Sequence, residues 1–474
     1  MPDIARQLPA DFISNLSRYH SHEFIDRLAE ALSTTPPTLA VRANTRRKVA
    51  IKASGDAVEW LAGNAIYLDR RPNFALDPAW HQGLYYVQDA SSMVMTAVVK
   101  DILTRFFDGG AVRYLDACAA PGGKSIAAAE ALPHGSILLS NEFDGRRASA
   151  LTENMAKYGM TDIAVSNTDT PALRRLGEVF DIVAVDAPCS GEGMMRKEPV
   201  AIEQWSEGLV ESCAALQRRI LTDCWETLRP GGVMIYSTCT FNRTENEANL
   251  EFITDTLGGE PIVLPLLRYA GVKPGVDTDI PCYHFYPGFV RGEGLFIAAV
   301  RKPGVHLNHK AEGVKGIKAP EVRAFMERTV IDNDSLTLLQ DTDGSYRAVP
   351  SAEGGFFAML TKKLKLLSYG INIGVKKGKD FVPSWQLSFS ERLCRHSFPG
   401  IDTDRATALR YLHGESLTDI PDGIDKGFMT VDYNGNPLGF AKNIGRRANN
   451  LYPDAMRLRL DPAKGIDKDY QAIV

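Results

Sequence analysis

Short apolar segments alternate with helical ones between residues 88 and 301, and this alternation restricts the folds open to the chain. The segments that we expect to form strands are 114–117, 137–141, 163–166, 182–185 and 233–236. Apolar periodicity predicts helices at 146–158 and 211–228, the second followed by the helix-ending run Arg229-Pro230-Gly231-Gly232. Strands that alternate with helices form a mostly parallel sheet covered on both faces. We therefore predict an α/β fold for this part of the chain.

The sequence changes character on either side of this region. The chain of 474 residues is long enough for several domains that each bury a core. The predicted segments are a lead-in with a small α/β unit (1–85), the alternating domain (86–301), a linker (302–319), a middle α+β domain (320–398) and a β-rich domain (399–474). Asn434-Gly435 favours a tight primed turn, which predicts a hairpin from strands at 428–433 and 437–442.

Composition excludes several classes of protein. A net charge of −4 is not that of a generally basic nucleic-acid coat, so any RNA surface must come from local lysine and arginine clusters. The seven cysteines form no C-x-x-C pair, which argues against a metal site, a disulfide framework and a thiol-redox protein. No apolar stretch of about 18 residues exists that could span a bilayer. We expect a cytoplasmic monomer with no membrane partner and no bound metal.

A glycine turn between a strand and a helix predicts a cofactor site at Leu115-Asp116-Ala117-Cys118-Ala119-Ala120-Pro121-Gly122-Gly123-Lys124-Ser125. Glycine lets the backbone approach a ligand closely, and the helix that follows offers free amides. A phosphate-binding Walker loop would need a glycine where Cys118 stands. Acidic residues follow the next strands, at Glu142, Asp169 and Asp186. This series fits a nucleoside held without phosphates, which favours S-adenosylmethionine (SAM) over NAD.

Two cysteines follow the fourth and fifth predicted strands, and they point to thiolate chemistry. Cys189 lies in Asp186-Ala187-Pro188-Cys189-Ser190-Gly191, and Cys239 lies in Ser237-Thr238-Cys239-Thr240. These strands are expected to be neighbours, so both sulfurs should emerge side by side where such sheets bind ligands. A thiolate that adds to carbon 6 of cytosine places electron density on carbon 5, and an acid near nitrogen 3, for which Asp186 is placed, absorbs charge. This chemistry alone leaves open which cysteine is the nucleophile.

A helix that begins just after Cys239 would lower the pKa of its thiol. The segment 242–247 predicts such a helix, with Thr244 and Glu247 spaced as a capping box. The five other cysteines are interpreted as small buried apolar residues: Cys118, Cys213, Cys224, Cys282 and Cys394. Cys118 should also line the cofactor site.

The motifs around Gly122-Gly123-Lys124, Cys189 and Cys239 resemble those of the RNA cytosine-5 methyltransferases of the RsmB/RsmF type. The segments 41–45 and 86–92 look like upstream motifs of that family, and 439–442 with 450–453 are similar to the PUA-like carboxyl domain of its RsmF branch. The resemblance implies a Rossmann-like SAM-dependent methyltransferase sheet with a small N-terminal α/β domain and C-terminal α+β and β-rich PUA-like domains. It also implies methylation of carbon 5 of cytosine in RNA, with ribosomal RNA favoured, through a covalent cysteine–cytosine intermediate.

The resemblance also implies roles for individual residues. Cys239 is expected to be the nucleophile, Cys189 to assist product release and Asp186 to act on the ring, although DNA cytosine methylases use the cysteine after proline, which keeps the reversed roles open. The expected SAM contacts are Cys118, Ala119, Ala120, Pro121, Gly122, Gly123, Lys124, Glu142, Asp169 and Asp186. Cys118 is a departure, because the branch often has alanine there.

A cytosine must leave its stack before a thiolate reaches it, so basic surfaces should hold the surrounding RNA. The candidates are Arg42, Arg46, Arg47, Lys48, Arg196, Lys197, Lys362, Lys363, Lys365, Lys376, Lys377, Lys379, Lys442, Arg446 and Arg447. We expect RNA as the partner, ribosomal RNA before transfer RNA, with a ribosomal subunit as a further partner. A noncatalytic RNA-binding ribosome assembly factor is the alternative from a different class.

Overall fold

The computed structural model describes residues 8–61, 63–307, 312–418, 420–465 and 470–474. Its α-helices are α1 (Ala10–Leu16), α2 (His22–Ser33), α3 (Pro78–His81), α4 (Met95–Phe106), α5 (Gly123–Ala129), α6 (Gly145–Tyr158), α7 (Thr170–Arg174), α8 (Pro199–Gln204), α9 (Glu207–Trp225), α10 (Glu247–Glu251), α11 (Pro320–Thr329), α12 (Gly354–Lys363), α13 (Trp385–Phe389) and α14 (Arg405–His413). Short 3-10 turns join several of these helices to the strands. Residues 308–311 of the predicted linker lie outside the described part of the chain.

The strands form four sheets. In chain order they are β1 (Ala40–Ala43), β2 (Ala65–Tyr67), β3 (Tyr85–Val87), β4 (Arg113–Asp116), β5 (Ile137–Asn141), β6 (Ile163–Ser166), β7 (Phe180–Asp186), β8 (Leu228–Thr238), β9 (Glu260–Ile262), β10 (Lys273–Pro274), β11 (Tyr283–Phe285), β12 (Leu295–Arg301), β13 (Leu336–Gln340), β14 (Ser345–Pro350), β15 (Leu366–Tyr369), β16 (Ile371–Lys377), β17 (Asp380–Pro383), β18 (Gly400–Thr403), β19 (Gly427–Tyr433), β20 (Asn436–Asn443) and β21 (Ala448–Asn450). Three small sheets have the orders β2-β1-β3, β13-β14-β16-β17 and β18-β19-β20-β21.

The largest sheet has the order β10-β11-β12-β8-β7-β4-β5-β6-β15, with β9 beside β12. Its five central strands, β8-β7-β4-β5-β6, are parallel, and antiparallel strands flank them on both sides. Two apolar clusters cover its two faces, which is why the central strands read as nearly continuous apolar runs. The α/β prediction is therefore confirmed. Strands β5 and β6 have the predicted bounds.

Local sequence explains where the helices near the site begin and end. Asp144 accepts hydrogen bonds from Arg146 N and Arg147 N and so caps α6, and Gly159, at φ 85°, ends that helix. Ser206 caps α9 through Leu209 N. These caps place α6 and α9 beside the carboxyl ends of the parallel strands.

One predicted boundary is wrong. Helix α9 ends at Trp225, and β8 begins at Leu228, so the Pro230-Gly231 pair lies inside the strand. The pairing of β7 with β8 shifts between Phe180 and Ile182, which is a bulge. A bulge accommodates a proline and a glycine that a regular ladder would exclude.

The carboxyl-terminal part contains the predicted hairpin. Strands β19 and β20 pair across Asn434 and Gly435, whose φ values of 50° and 70° are those of a primed turn. Strand β15 pairs with β6, so part of the segment 320–398 joins the central sheet. The five-segment division itself stays a prediction. In the described ranges, no helix is long and apolar enough to cross a membrane.

Candidate active site

The carboxyl ends of the parallel strands form one edge of the central sheet, and most of the predicted site residues lie there. The glycine turn follows β4, Glu142 follows β5, and Asp186 is the last residue of β7. Cys239 follows β8, the neighbour of β7. Asn141 Nδ2 donates to the carbonyl oxygens of Ala117 and Thr168, both at 3.0 Å, and so ties the ends of β4, β5 and β6 together.

The glycine turn is held open by hydrogen bonds to its carbonyl oxygens. Arg147 Nη2 donates to Ala120 O at 2.6 Å, and Asn154 Nδ2 donates to Pro121 O at 2.8 Å. Gly122 has φ 112° and precedes α5, so a side chain at this position would be strained. The backbone of the turn is therefore presented toward the edge where a nucleoside can approach it.

Glu142 has the properties expected of a group that holds a ribose. Its side chain is buried, and its Oε1 accepts from Asp144 N at 2.9 Å. Its Oε2 is also buried and has no hydrogen bond, although Arg147 Nη1 lies 3.4 Å away. An acceptor in this state fits the hydroxyls of a nucleoside, so the residues present fit SAM. Asp169 is exposed after β6, where it caps α7 by accepting from Ala172 N.

Asp116 belongs to this site and the sequence analysis did not select it. It ends β4, is buried, and accepts from Ser125 Oγ at 2.6 Å. Burial raises its pKa to about 7. Its position at the end of an apolar strand could have identified it from the sequence, but a solvated turn residue shows the same pattern.

Asp186 and Lys124 form an ion pair beside the cysteines. Lys124 Nζ lies 2.8 Å from Asp186 Oδ2, and Ser237 Oγ donates to Asp186 Oδ1 at 2.8 Å. Burial alone would lower the pKa of Lys124, but the Asp186 carboxylate raises it above the ordinary value. Lys124 therefore holds its positive charge at this edge of the sheet, where the Asp186 carboxylate balances it.

The sulfurs of Cys189 and Cys239 lie 3.3 Å apart, as the predicted neighbouring strands require. Both side chains are half-buried. The hydrogen bond from the Cys189 thiol lowers the pKa of Cys239, and Lys124 acts in the same direction. The same hydrogen bond, together with burial, raises the pKa of Cys189 well above its usual range. The surroundings therefore favour Cys239 over Cys189 as the more acidic thiol of the pair.

Comparisons with known proteins decide the family. The family model for the 16S rRNA methyltransferase RsmB/F matches residues 110–301, the RsmF N-terminal domain matches 8–90, and the RsmF PUA domain matches 398–458. The ribosomal RNA small subunit methyltransferase F of Shigella flexneri serotype 5b is 30% identical over 391 residues, which are 78% of each chain. The chain belongs to the RsmB/F family. The enzyme of the same name from Aeromonas salmonicida is 29% identical over 390 residues, again 78% of each chain.

Solved structures agree with the fold of an RsmB/F protein. NSun6 from Pyrococcus horikoshii with SFG has a TM-score of 0.53 at 20% identity, covering 63% of this chain and 100% of that one. PH0851 has a TM-score of 0.54 at 20% identity, covering 62% of this chain and 66% of that one. The predicted Rossmann-like methyltransferase sheet with flanking N-terminal and PUA domains is confirmed. The chain is a SAM-dependent methyltransferase, whereas the roles of its individual site residues stay predictions.

The predicted capping box after Cys239 is wrong. Helix α10 begins at Glu247, and no side chain caps it. The Glu247 carboxylate instead lies 2.7 Å from His284 Nε2 and accepts from Val276 N. Partners distant in the sequence, His284 and Val276, therefore bind the carboxylate that the local spacing assigned to a cap. The lowered pKa of Cys239 has other causes, which are Cys189 and Lys124.

We predict that Cys239 is alkylated by iodoacetamide at a lower pH than Cys213. The pKa of Cys239 lies below the usual thiol value, so its thiolate forms at a lower pH than that of an ordinary thiol and is lost as the pH falls through that lowered pKa. Burial raises the pKa of Cys213, a half-buried residue of α9, to about 11. Mass spectrometry of alkylated peptides across pH 5–9 measures both. Equal midpoints for the two thiols would contradict the assignment of the thiolate.

Several predicted RNA contacts of this RsmB/F chain are turned inward instead. Arg42 is buried and pairs with Glu130, Arg46 pairs with Glu391, and Arg47 donates to Phe389 O. Arg196 is also buried, and it donates to Thr35 O, Thr35 Oγ1, Pro36 O and Gly292 O. The prediction is therefore wrong for Arg42 and Arg196, which carboxylates or carbonyl groups far away in the sequence hold in the interior, whereas it stays a prediction for the half-buried Arg46 and Arg47. The remaining exposed candidates are Lys48, Lys197, Lys362, Lys363, Lys365, Lys376, Lys377, Lys379, Arg446 and Arg447, and Lys442 is half-buried.

Proposed function

We propose that the chain methylates carbon 5 of cytosine in small-subunit ribosomal RNA, through a covalent bond between Cys239 and carbon 6 of the ring. The observation that carries this proposal is the cysteine pair Cys189 and Cys239, with sulfurs 3.3 Å apart, at the edge of the sheet that carries the glycine turn. Family membership supports the reaction, and the name shared by its relatives supports the substrate.

The residues at this edge support each step. The Cys239 thiolate adds to carbon 6, and the electron pair of the carbon 5–carbon 6 double bond moves onto carbon 5. Lys124 and Asp186 form a fixed ion pair where charge develops on the ring. SAM supplies an electrophilic methyl group that carbon 5 accepts. A base then takes the carbon 5 proton, the electrons of that C–H bond re-form the carbon 5–carbon 6 double bond, and the carbon 6–sulfur bond breaks. Cys239 leaves as a thiolate, and Cys189 assists this release by donating its thiol hydrogen toward the departing sulfur.

The SAM contacts proposed are the turn 118–124, Glu142, Asp169 and Asp186. The amides of the turn and of the first residues of α5 face the nucleoside. Glu142 Oε2 accepts from the ribose hydroxyls, for which its buried and unpaired state prepares it. Cys118, whose thiol pKa burial raises well above the usual range, lines this site as a neutral group.

We predict that Glu142→Gln weakens SAM binding by about tenfold. The amide keeps the shape of the side chain but accepts fewer hydrogen bonds and carries no charge, a loss of roughly 1.5 kcal/mol. Asp144→Asn is the matched control, because it removes a neighbouring exposed charge from a residue that caps α6. Isothermal titration calorimetry with SAM measures both variants. Equal SAM affinities of the two variants would contradict the assignment of Glu142 to the SAM site.

Methyl transfer to defined RNAs tests the proposed function. The purified chain is incubated with methyl-labelled SAM and, separately, with small-subunit ribosomal RNA, assembled small subunits and transfer RNA, and bisulfite sequencing locates the product. We expect 5-methylcytosine in the ribosomal RNA, whether naked or assembled. Methylation of transfer RNA alone would show that transfer RNA, and not ribosomal RNA, is the substrate. Binding without methylation of any RNA would favour a noncatalytic assembly factor.

We also propose that the chain acts as a cytoplasmic monomer. Sedimentation analysis tests its oligomeric state.

A further inference from the structure

Two buried carboxylates connect the loops that carry the cysteines. Glu192, three residues after Cys189, accepts from Phe241 N at 2.6 Å and from Asn242 N at 3.0 Å, in the loop after Cys239. Glu245, from that second loop, accepts from Ser190 N at 3.0 Å, next to Cys189. Each loop therefore supplies a carboxylate to the backbone amides of the other.

Side chains complete the hydrogen bonds of both carboxylates. Asn242 Nδ2 donates to Glu192 Oε1 at 3.0 Å and to Glu245 Oε1 at 2.8 Å, and so joins the two. Gln217 Nε2 donates to Glu245 Oε2 at 2.7 Å, and Trp205 Nε1 donates to Glu192 Oε1 at 3.0 Å. Glu192 and Glu245 are fully buried, and all of these contacts are donors. Donors on every side are what a buried carboxylate requires.

The loops are also in direct contact between these carboxylates. Gly193 N donates to Cys239 O at 2.8 Å, and Ser190 Oγ lies 3.0 Å from Thr240 Oγ1. A side-chain carbon on Gly193 would come within 2.6 Å of Cys239 O, so only glycine permits this approach. The separation of the two sulfurs is therefore set by how the two loops are clamped together.

We propose that Glu192 and Glu245 are positioning residues, whose exchanged hydrogen bonds hold the two cysteine loops in register so that the Cys189 thiol donates to the Cys239 sulfur. Neither carboxylate makes a hydrogen bond to a sulfur, so both act through the loop backbone. The catalytic consequence of this clamp rests on the proposed function. The clamp itself is a property of the resting protein and is measurable without substrate.

A positioning role and an electrostatic role predict opposite results when Glu245 is changed. The charged groups that act on the pKa of Cys239 are Asp186 and Glu245, which raise it, and Lys124, which lowers it, beside the hydrogen bond from Cys189. Removing the Glu245 charge would by itself lower the pKa of Cys239. Releasing the loop would raise it, because the hydrogen bond from the Cys189 thiol is the largest influence on this thiol.

The test is the pH midpoint of Cys239 alkylation, followed by mass spectrometry without RNA or SAM. In Glu245→Ala we expect the midpoint to rise by about one pH unit, the size of one hydrogen bond to a charged group. Glu245→Gln should rescue the wild-type midpoint or shift it downward, because its amide oxygen still accepts from Ser190 N. An unchanged or lowered midpoint in Glu245→Ala overturns the proposal.

Two further variants control for damage to the fold. Glu247→Ala removes a carboxylate that is equally buried and two residues away but bonded to His284, and it should leave the midpoint unchanged. If the alkylation midpoint of Cys239 rises as much in Glu247→Ala as in Glu245→Ala, the proposal is overturned. If Glu245→Ala does not fold, Glu245→Asp decides, because it keeps the charge but is too short to reach Ser190 N: a raised midpoint supports the clamp and an unchanged one overturns it.

Methyl transfer separates this proposal from the proposed function. In Glu245→Ala we expect kcat to fall by about 10- to 100-fold while KM for RNA is unchanged, because Glu245 is buried beneath the loops. A rise in KM at constant kcat would overturn the catalytic consequence of the clamp. If the wild-type chain methylates no RNA, the proposed function fails, whereas the alkylation midpoints still decide whether the carboxylates position the cysteines.

Discussion

Replacing Cys239 with alanine is expected to lower kcat for RNA methylation by about 10³-fold or more, with SAM binding intact. Carbon 5 of cytosine becomes nucleophilic only after a thiolate adds to carbon 6, and Cys239 is the cysteine whose pKa is lowered. The neighbouring thiol is a poor substitute, because burial and Glu245 still raise the pKa of Cys189 when Cys239 is absent. The initial rate of labelled methyl incorporation into small-subunit ribosomal RNA measures the effect.

Cys213→Ala is the matched control for this loss. Cys213 is also half-buried, but it lies on α9, and we expect the variant to retain wild-type activity. SAM titration of both variants shows whether the cofactor site is intact. An active Cys239→Ala enzyme would contradict the assignment, and an inactive Cys189→Ala enzyme that forms no RNA adduct would then favour the reversed roles of the two cysteines.

Replacing Cys189 with alanine is expected to trap the RNA on the enzyme through Cys239 and to stop multiple turnover. The Cys189 sulfur lies 3.3 Å from the sulfur that must leave, so its loss removes the group placed to assist release while the nucleophile remains. We expect one methylated RNA per active enzyme and steady-state turnover at least about 10²-fold lower. Denaturing gels measure the adduct, and sequencing of the trapped RNA identifies the modified nucleotide.

The double variant Cys189→Ala, Cys239→Ala is the control for this adduct. It removes both sulfurs, so any band that persists has another origin. An adduct formed by Cys239→Ala, but not by Cys189→Ala, would reverse the two roles. No adduct in either single variant, with SAM still bound, would argue for a noncatalytic RNA-binding protein. Both outcomes are visible in the same gel.

The asymmetry between the two thiols has the hydrogen bond between their sulfurs as its largest cause. Lys124 also lowers the pKa of Cys239, against burial, Asp186 and Glu245, which raise it, whereas burial and Glu245 further raise the pKa of Cys189. This combination favours donation from Cys189 to Cys239. This direction agrees with the roles that the family resemblance implies, and the chemistry of either cysteine alone does not provide it.

The sequence alone predicted the five parallel strands of the central sheet, but not the antiparallel strands that flank them. Strands such as β5 and β6 are buried on both faces, so their apolar runs are continuous and their bounds are readable. The strand order expected of a methyltransferase-type sheet also predicted that Cys189 and Cys239 would emerge side by side. The turn 118–124 was recognisable because glycine permits a backbone conformation that other residues rarely adopt.

Only the tertiary structure decided which polar side chains are paired and with what. Arg42 and Arg196 read as surface cations, yet Glu130 and Glu293, distant in the sequence, hold them in the interior. Glu247 had the spacing of a cap but is paired with His284. A buried charge requires partners whatever their distance along the chain, so local spacing predicts strands and turns, while the choice of ion pairs, and with it the thiolate, depends on the folded contacts.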